Sequence, residues 1–362
     1  MTDTKQKSGN LVIDRRRFLA ATGGAAALGF AGTATSSLAQ GKFAGQKVVF
    51  ASWGGSYQDA QKASFCDGLA KKMGATVVQD GPVDYAKLRV MIRSGTPSWD
   101  VVDVTVDFLY AAVKDKLFDK IDTSIVDVNR IDKKYVHEYG VGDIVSSYTI
   151  GYNTTKYPTG SHPKSWAEFF DVQRFPGQRS LRDRVSPMLE LALLADGVDV
   201  EHLYPLDVDR AFKKLDTIKS HAVWWTTNSQ SQQLLIDGEV GMGVIINGRL
   251  FDAVQKGGKL GIEWNQNMQI VDYLVVPRGV KNPDLAMALI NEMTLPEHQA
   301  KIADLMALAP TNPEAFKLIS PSISPWLSTT PENAKQGFLV NSDYWQDQFK
   351  PLTERWQAWK LS

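Results

Sequence analysis

One cysteine in 362 residues, Cys66, leaves this chain no internal disulfide to close, so non-covalent packing must hold it together. An excess of charge is missing too. Forty Lys and Arg stand against 40 Asp and Glu, and that balance gives no ground for nucleic-acid binding or for an anionic membrane surface. Histidine is scarce: His137, His162, His202, His221 and His298 are scattered without metal-ligand spacing, and neither a metal nor any other cofactor is expected. No apolar run reaches the roughly 20 strongly apolar residues of a membrane span. A nucleophile elbow and a phosphate loop are also absent. Gly54-Gly55-Ser56 is not Gly-x-Ser-x-Gly, and no histidine lies in a segment that can be set beside it, so an enzyme is not expected. What the chain does have is aromatic surface: ten tryptophans can serve as core volume or as flat walls for a ligand.

The first 39 residues read as a leader. Arg15-Arg16-Arg17-Phe18-Leu19 is followed by a weakly apolar stretch from Ala20 to Gly32, interrupted by Gly23, Gly24 and Gly29, and then by the small-residue pattern Ser37-Leu38-Ala39. This resembles a twin-arginine secretion signal cleaved after Ala39, with Asp14 where Ser or Thr is more usual and Ala20 where Lys is common. An ordinary secretion signal or a basic tail is the alternative. The expected place of the mature chain is the periplasm. The leader's five positive and two negative charges leave the mature part slightly acidic. Its 323 residues are too many for one typical core and suit two lobes of roughly 150 residues each.

Along the mature chain, the β-rich run at 46–52 ends in Trp53-Gly54-Gly55-Ser56-Tyr57. Ser56 with Asp59 is a capping-box pattern, and a helix should run through Leu69 and Met73 to a stop at Gly74. Strands at 76–78 and 100–104 alternate with helices at 84–93 and 108–116, the pattern of βαβ units and a mostly parallel sheet. Tyr148 to Asn153 reads as a strand with no obvious partner nearby. The pattern then restarts: a strand at 179–182, helices near 188–195, 208–219 and 230–237, a strand at 240–246 and a helix at 249–256. A strand at 271–276 precedes amphipathic helices at 283–294 and 296–307, and a last helix falls near 343–359. Two α/β halves joined by strands make a hinged layout whose ligand would sit at the carboxyl ends of the strands.

Several segments stand in an order that resembles a known family. They are Trp53-Gly54-Gly55-Ser56-Tyr57, Trp99 to Thr105, Gly151-Tyr152-Asn153, Pro163 to Trp166, Gly238 to Gly248 and Asp272 to Pro277. Together they resemble the bacterial extracellular solute-binding proteins of the spermidine/putrescine type, which serve ABC importers. The resemblance covers 45–345. It implies the type II periplasmic-binding fold, α/β with two lobes, each a mixed and mostly parallel sheet flanked by helices. Lobe 1 would hold 45–148 and 276–362, lobe 2 would hold 149–275, and the hinge crossings would lie near 147–152 and 271–277. The implied partners are a small-molecule ligand and an ABC permease in the inner membrane, served by a monomer.

Carried onto this sequence, the family's ligand positions fall on Trp53, Ser56, Tyr57, Thr105, Asp107, Arg182, Asp183, Arg184, Trp224, Trp225, Asn247, Arg249, Asp272 and Tyr273. Each has a plainer reading. Trp53 could fill a strand-to-helix turn, Asp107 could cap the next helix, one of Trp224 and Trp225 could be core, and the arginines could form inter-lobe salt bridges. Where polyamine receptors show acidic residues, this chain has Asp183 between Arg182 and Arg184; Ile246 replaces an aromatic, and Arg249 is added. A guanidinium fork suits a carboxylate. The expected ligand is therefore an amino-carboxylate such as 4-aminobutyrate, its ammonium on Asp107 or Asp183 and its carboxylate on an arginine. A polyamine, or a sensing role beside a membrane signalling partner, is the alternative.

Overall fold

The computed structural model describes residues 41–158 and 160–362, so the leader at 1–39 lies outside the described residues. The first part alternates β1 (Lys47–Ala51), α1 (Gly55–Gln61), α2 (Asp67–Met73), β2 (Thr76–Asp80), α3 (Tyr85–Arg93), β3 (Val101–Thr105) and α4 (Val106–Lys114). Then come β4 (Val136–His137), the long β5 (Gly140–Asn153), α5 (Trp166–Phe170), β6 (Arg179–Arg182), α6 (Val185–Ala195) and α7 (Val208–Asp216). These are followed by β7 (Ala222–Trp225), α8 (Asn228–Ile236), β8 (Met242–Ile246), α9 (Asn247–Gln255) and the long β9 (Leu260–Val275). The chain ends with α10 (Pro283–Met293), α11 (Pro296–Met306), β10 (Ala309–Pro310), α12 (Pro331–Ala334), β11 (Gly337–Leu339) and α13 (Ser342–Leu361).

The strands lie in the order β2-β1-β3-β9-β5-β8-β6-β7. β1 runs parallel to β2 and β3, and β6 runs parallel to β7 and β8. Between these two parallel blocks, β9 is antiparallel to β3 and β5, and β5 is antiparallel to β8. The fold is thus α/β, with a mostly parallel sheet flanked by helices, as the alternating pattern requires. The strand at 148–153 has its partners far away in sequence, which is why they are invisible locally: Tyr148 sits opposite Ile246 and Met268.

Local signals place most boundaries. The Asp84 carboxylate accepts from the N–H groups of Ala86 (2.7 Å) and Lys87 (2.9 Å) and so starts α3. Gly74 closes α2 in the left-handed conformation, φ 71°. Two expectations fail. Ser56 is not a cap, because α1 starts from Gly54 with no side-chain cap. Asp107 lies inside the first turn of α4, whose flanking residue is Thr105. Trp224 and Trp225 end β7, where β-rich Ala-Val-Trp-Trp pairs with β6. A π-helical insertion, Lys62–Cys66, separates α1 from α2 and buries Cys66, whose thiol burial pushes up to about 12.

The described residues 41–158 and 160–362 pack as one compact unit. Trp99, Trp166, Trp225, Trp345 and Trp356 are fully buried, so half of the tryptophans are core. The C-terminal segment touches elements on both sides of the β5–β9 pair. Phe349 of α13 packs edge-on to Phe108 of α4, while Trp356 and Trp359 pack on Phe212 and Trp224.

Candidate functional site

The carboxyl ends of parallel strands carry the side chains that meet at the middle of the molecule, the expected place for a ligand in such a sheet. β1 delivers Trp53, β3 delivers Thr105, β6 ends on Arg182, the start of α8 gives Asn228, and β8 leads into Ile246, Gly248 and Arg249. Tyr57 from α1, with Met306 and Leu308, closes the sides. The two long crossing strands give the floor: Ile144, Ser146 and Tyr148 from β5, and Ile270 and Asp272 from β9. Their spacing of two puts each set on one face of its strand. Together these residues line a small cavity of about 30 Å³, room on the scale of a water molecule, so a metabolite needs the walls to part.

Acidic groups lie on one side. Asp272 is buried, and its Oδ1 atom has no hydrogen-bond partner among the described residues. Burial raises its carboxyl well above the usual range, and the charges of Asp103 and Asp143 add to this against Arg182 and Arg184. Asp103 sits behind the aromatic wall and accepts from Trp53 Nε1 at 3.1 Å and Tyr57 OH at 3.0 Å. Burial lifts it to about 6 although these donors pull the other way.

Basic groups lie on the other side, and they are not equivalent. Arg182 is buried and donates to the neutral Asn228 Oδ1 at 3.1 Å, with its guanidinium over the rings of Trp225 (5.0 Å) and Tyr148 (5.4 Å). Burial lowers its pKa, and no carboxylate pairs with it among the described residues. Arg184 is already engaged: it donates to Asp107 Oδ2 at 2.7 Å and to Thr105 Oγ1 at 2.9 Å. Burial is the largest single influence and works against its charge, but Asp107, Tyr85 and Tyr148 together outweigh it and raise its pKa. Arg249 is engaged too, donating to the Gly54 carbonyl at 2.7 Å and to Ser56 Oγ at 3.1 Å. Desolvation brings it down to about 10.

Of the sequence-derived candidates, Trp53, Tyr57, Thr105, Arg182, Arg249 and Asp272 line this cavity, and Trp225 lies directly under Arg182. Ser56 and Asp107 stand beside it, held by the two other arginines. Asn247 is buried to one side, where its Oδ1 accepts from the Ser147 N–H and its Nδ2 donates to the carbonyls of Ala307 and Trp326. Three candidates face elsewhere. Asp183 accepts from Trp356 Nε1 at 2.8 Å and pairs with Lys360, because strand alternation turns it away from Arg182 and towards α13. Trp224 is sent to the same side by the same alternation and packs on Trp356 and Trp359. Tyr273, one residue from Asp272, lies on the opposite face of β9 and is absent from the cavity wall. Asp107 and Asp183, the acids expected to hold an ammonium, are therefore both occupied by protein cations or donors.

Sequence reasoning passed over Ile144, Ser146, Tyr148, Asn228 and Ile270. Alternation in β5 and β9 was the available signal, but it does not say which face of a doubly buried strand meets the ligand.

The family model for the bacterial extracellular solute-binding protein matches residues 74–335. The gamma-aminobutyric acid-binding protein of Pseudomonas aeruginosa is 32% identical over 321 residues, covering 87% of this chain and 91% of that protein. The spermidine/putrescine-binding periplasmic protein of Escherichia coli is 24% identical over 250 residues, 66% of this chain and 70% of its own length. Among solved structures, a GABA receptor matches with a TM-score of 0.79 and 42% identity, covering 87% of this chain and 98% of that one.

Proposed function

The chain belongs to the family of bacterial extracellular solute-binding proteins, and on that premise we propose that it captures a small amino-carboxylate of the 4-aminobutyrate kind and hands it to an ABC permease. One observation carries the choice of ligand. Arg182, a guanidinium without a carboxylate, and Asp272, a carboxyl with an unpartnered oxygen, open into the same cavity. A guanidinium fork fits a carboxylate and a buried carboxyl fits an ammonium, so a zwitterion completes both at once. Trp53, Tyr57 and Tyr148 supply faces for the chain between its ends and for the cation. The names of the relatives at 32% and 42% identity support the same ligand. A polyamine would meet Asp272 equally well but would bring a second positive charge towards Arg182.

Capture is by closure of two lobes, 45–148 with 276–362 and 149–275, about the paired strands β5 and β9. A ligand touching both sides favours the closed form through its higher affinity for it, and no covalent step is needed. The setting is the periplasm, reached through a twin-arginine leader, and the working form is a monomer. Calorimetry of the purified protein tests the ligand: 4-aminobutyrate is expected to bind more tightly than putrescine. Tight binding of putrescine with none of 4-aminobutyrate would overturn the zwitterion reading in favour of a polyamine receptor.

A further inference from the structure

Behind the aromatic wall, three carboxyl groups from three strands come together, and the cavity uses only one of them. Asp103 of β3 receives four donors: Trp53 Nε1 (3.1 Å) on Oδ1, and Ser52 Oγ (3.3 Å), Tyr57 OH (3.0 Å) and Gln61 Nε2 (3.2 Å) on Oδ2. Asp143 of β5 brings its Oδ2 to 3.4 Å from the same Tyr57 oxygen, and its Oδ1 is buried with no partner among the described residues. A phenol has one proton to give. Asp103 receives it at the shorter distance, as one of four donors that only an acceptor can satisfy. The approach of Asp143 to Tyr57 then sets lone pairs against lone pairs unless Asp143 itself is the donor.

Asp272 of β9 is the third member, and the charges of both others act on it. Charged groups face the cluster from every side: Arg182 at the end of β6, Arg184 just beyond it, Arg249 from α9 towards Tyr57, and Asp59 from α1 behind Arg249. Burial raises Asp143 well above the ordinary carboxyl range, and the Asp103 charge raises it further.

We propose that Asp143 is a neutral acid in the ligand-free site, donating its proton to the Tyr57 oxygen, while Asp103 is the carboxylate that positions Trp53 and Tyr57. We infer in addition that an ammonium entering the cavity displaces a proton from the Asp103–Asp143–Asp272 cluster to solvent. This second step rests on the ligand reading above; the proton assignment does not. The ammonium keeps its own protons, and its charge replaces the one that leaves, so the cluster end of the cavity can ionise further without gaining net charge, while the ligand's carboxylate is met by Arg182. The three groups titrate as a unit, so the displaced proton belongs to the cluster and not to one residue.

Two measurements decide this. The first needs no ligand. Asp143→Asn mimics the neutral acid, because its amide can still donate to Tyr57, and its melting temperature at pH 7 should match that of the parent. Asp103→Asn turns an N–H group towards other donors and should melt several degrees lower. Equal damage from both variants would overturn the assignment. The second is calorimetry with 4-aminobutyrate and with putrescine in two buffers of unlike ionisation enthalpy. Release of up to one proton per ligand is expected, with affinity rising as much as tenfold per pH unit below the cluster's titration. Binding with no buffer dependence would overturn the proton displacement and leave the ligand reading standing. Failure of both probes to bind would overturn the ligand reading, and with it the displacement, while the Asn variants still decide the assignment.

Discussion

Asp272 and Arg182 both line the cavity and form no salt bridge among the described residues, although Asp272 lies in the field of Arg182. That makes them the residues whose replacement should cost affinity without costing the fold. Charge-assisted hydrogen bonds contribute about 1.5–3 kcal/mol each, roughly 10- to 100-fold in affinity. Asp272→Asn should weaken 4-aminobutyrate binding by that factor in calorimetry, with denaturant stability equal to the parent's or higher, because a buried and unsatisfied acid has been removed. Arg182→Gln should lose as much for an amino acid and much less for an amine that lacks a carboxylate. Arg184 behaves otherwise. Its partner Asp107 is buried, so Arg184→Ala leaves an uncompensated charge and should destabilise the protein itself, by about 3 kcal/mol or more.

At the scale of elements, the docking of α13 turns on Glu190 of α6. Its Oε1 atom accepts from Tyr204 OH at 2.8 Å and Trp345 Nε1 at 2.7 Å, while Oε2 is buried without a partner among the described residues. Burial raises this carboxyl to about 7 from an ordinary 4.5. The folded state therefore holds the proton more tightly than the unfolded chain. The stabilisation is complete below the unfolded value and is lost as pH rises through about 7, an effect on the order of 3 kcal/mol. Glu190→Gln keeps the acceptor and removes the ionisation, so denaturation between pH 5 and 8 should show a flatter stability profile for the variant, with its largest gain at the alkaline end. None of this was legible beforehand, because a single Glu within Pro187-Met188-Leu189-Glu190-Leu191 looks like any other helical Glu. The strands and helices themselves were largely legible: β1 and β3 follow from β-branched runs and α10 from the Asn282 cap next to it. The site was half legible. Motif order brought out Trp53, Tyr57, Arg182 and Asp272, but facing in a strand has period two, and a shift of one residue placed Asp183, Trp224 and Tyr273 wrongly.

For the whole molecule, the question is what ties the two sides of the cavity together. Arg249 on α9 reaches Gly54 and Ser56, nearly 200 residues away in the chain, and Arg184 reaches Asp107. Gly55 permits this closeness: at φ +60° it is in glycine's region, and a Cβ there would lie 2.5 Å from Ser229 Oγ and 2.9 Å from Arg249 Nη1. Gly55→Ala and Arg249→Ala should both favour a more open form. The expected outcome is a larger radius of gyration in X-ray scattering without ligand, restored by saturating ligand at the cost of a weaker apparent affinity.

Cys66 makes such opening a matter of timing. It is the only sulfhydryl, it sits in the π-helical insertion next to the helix that carries Tyr57, and its thiol at about 12 is almost wholly un-ionised at neutral pH. A thiol reagent can reach it only in those moments when α1 and the insertion come loose. Its labelling rate is therefore a stopwatch built into the native chain, with no competing cysteine to blur the reading. Ligand held against Tyr57 should slow it in proportion to occupancy, about 100-fold at a hundred times the dissociation constant, if loosening of α1 dismantles the site.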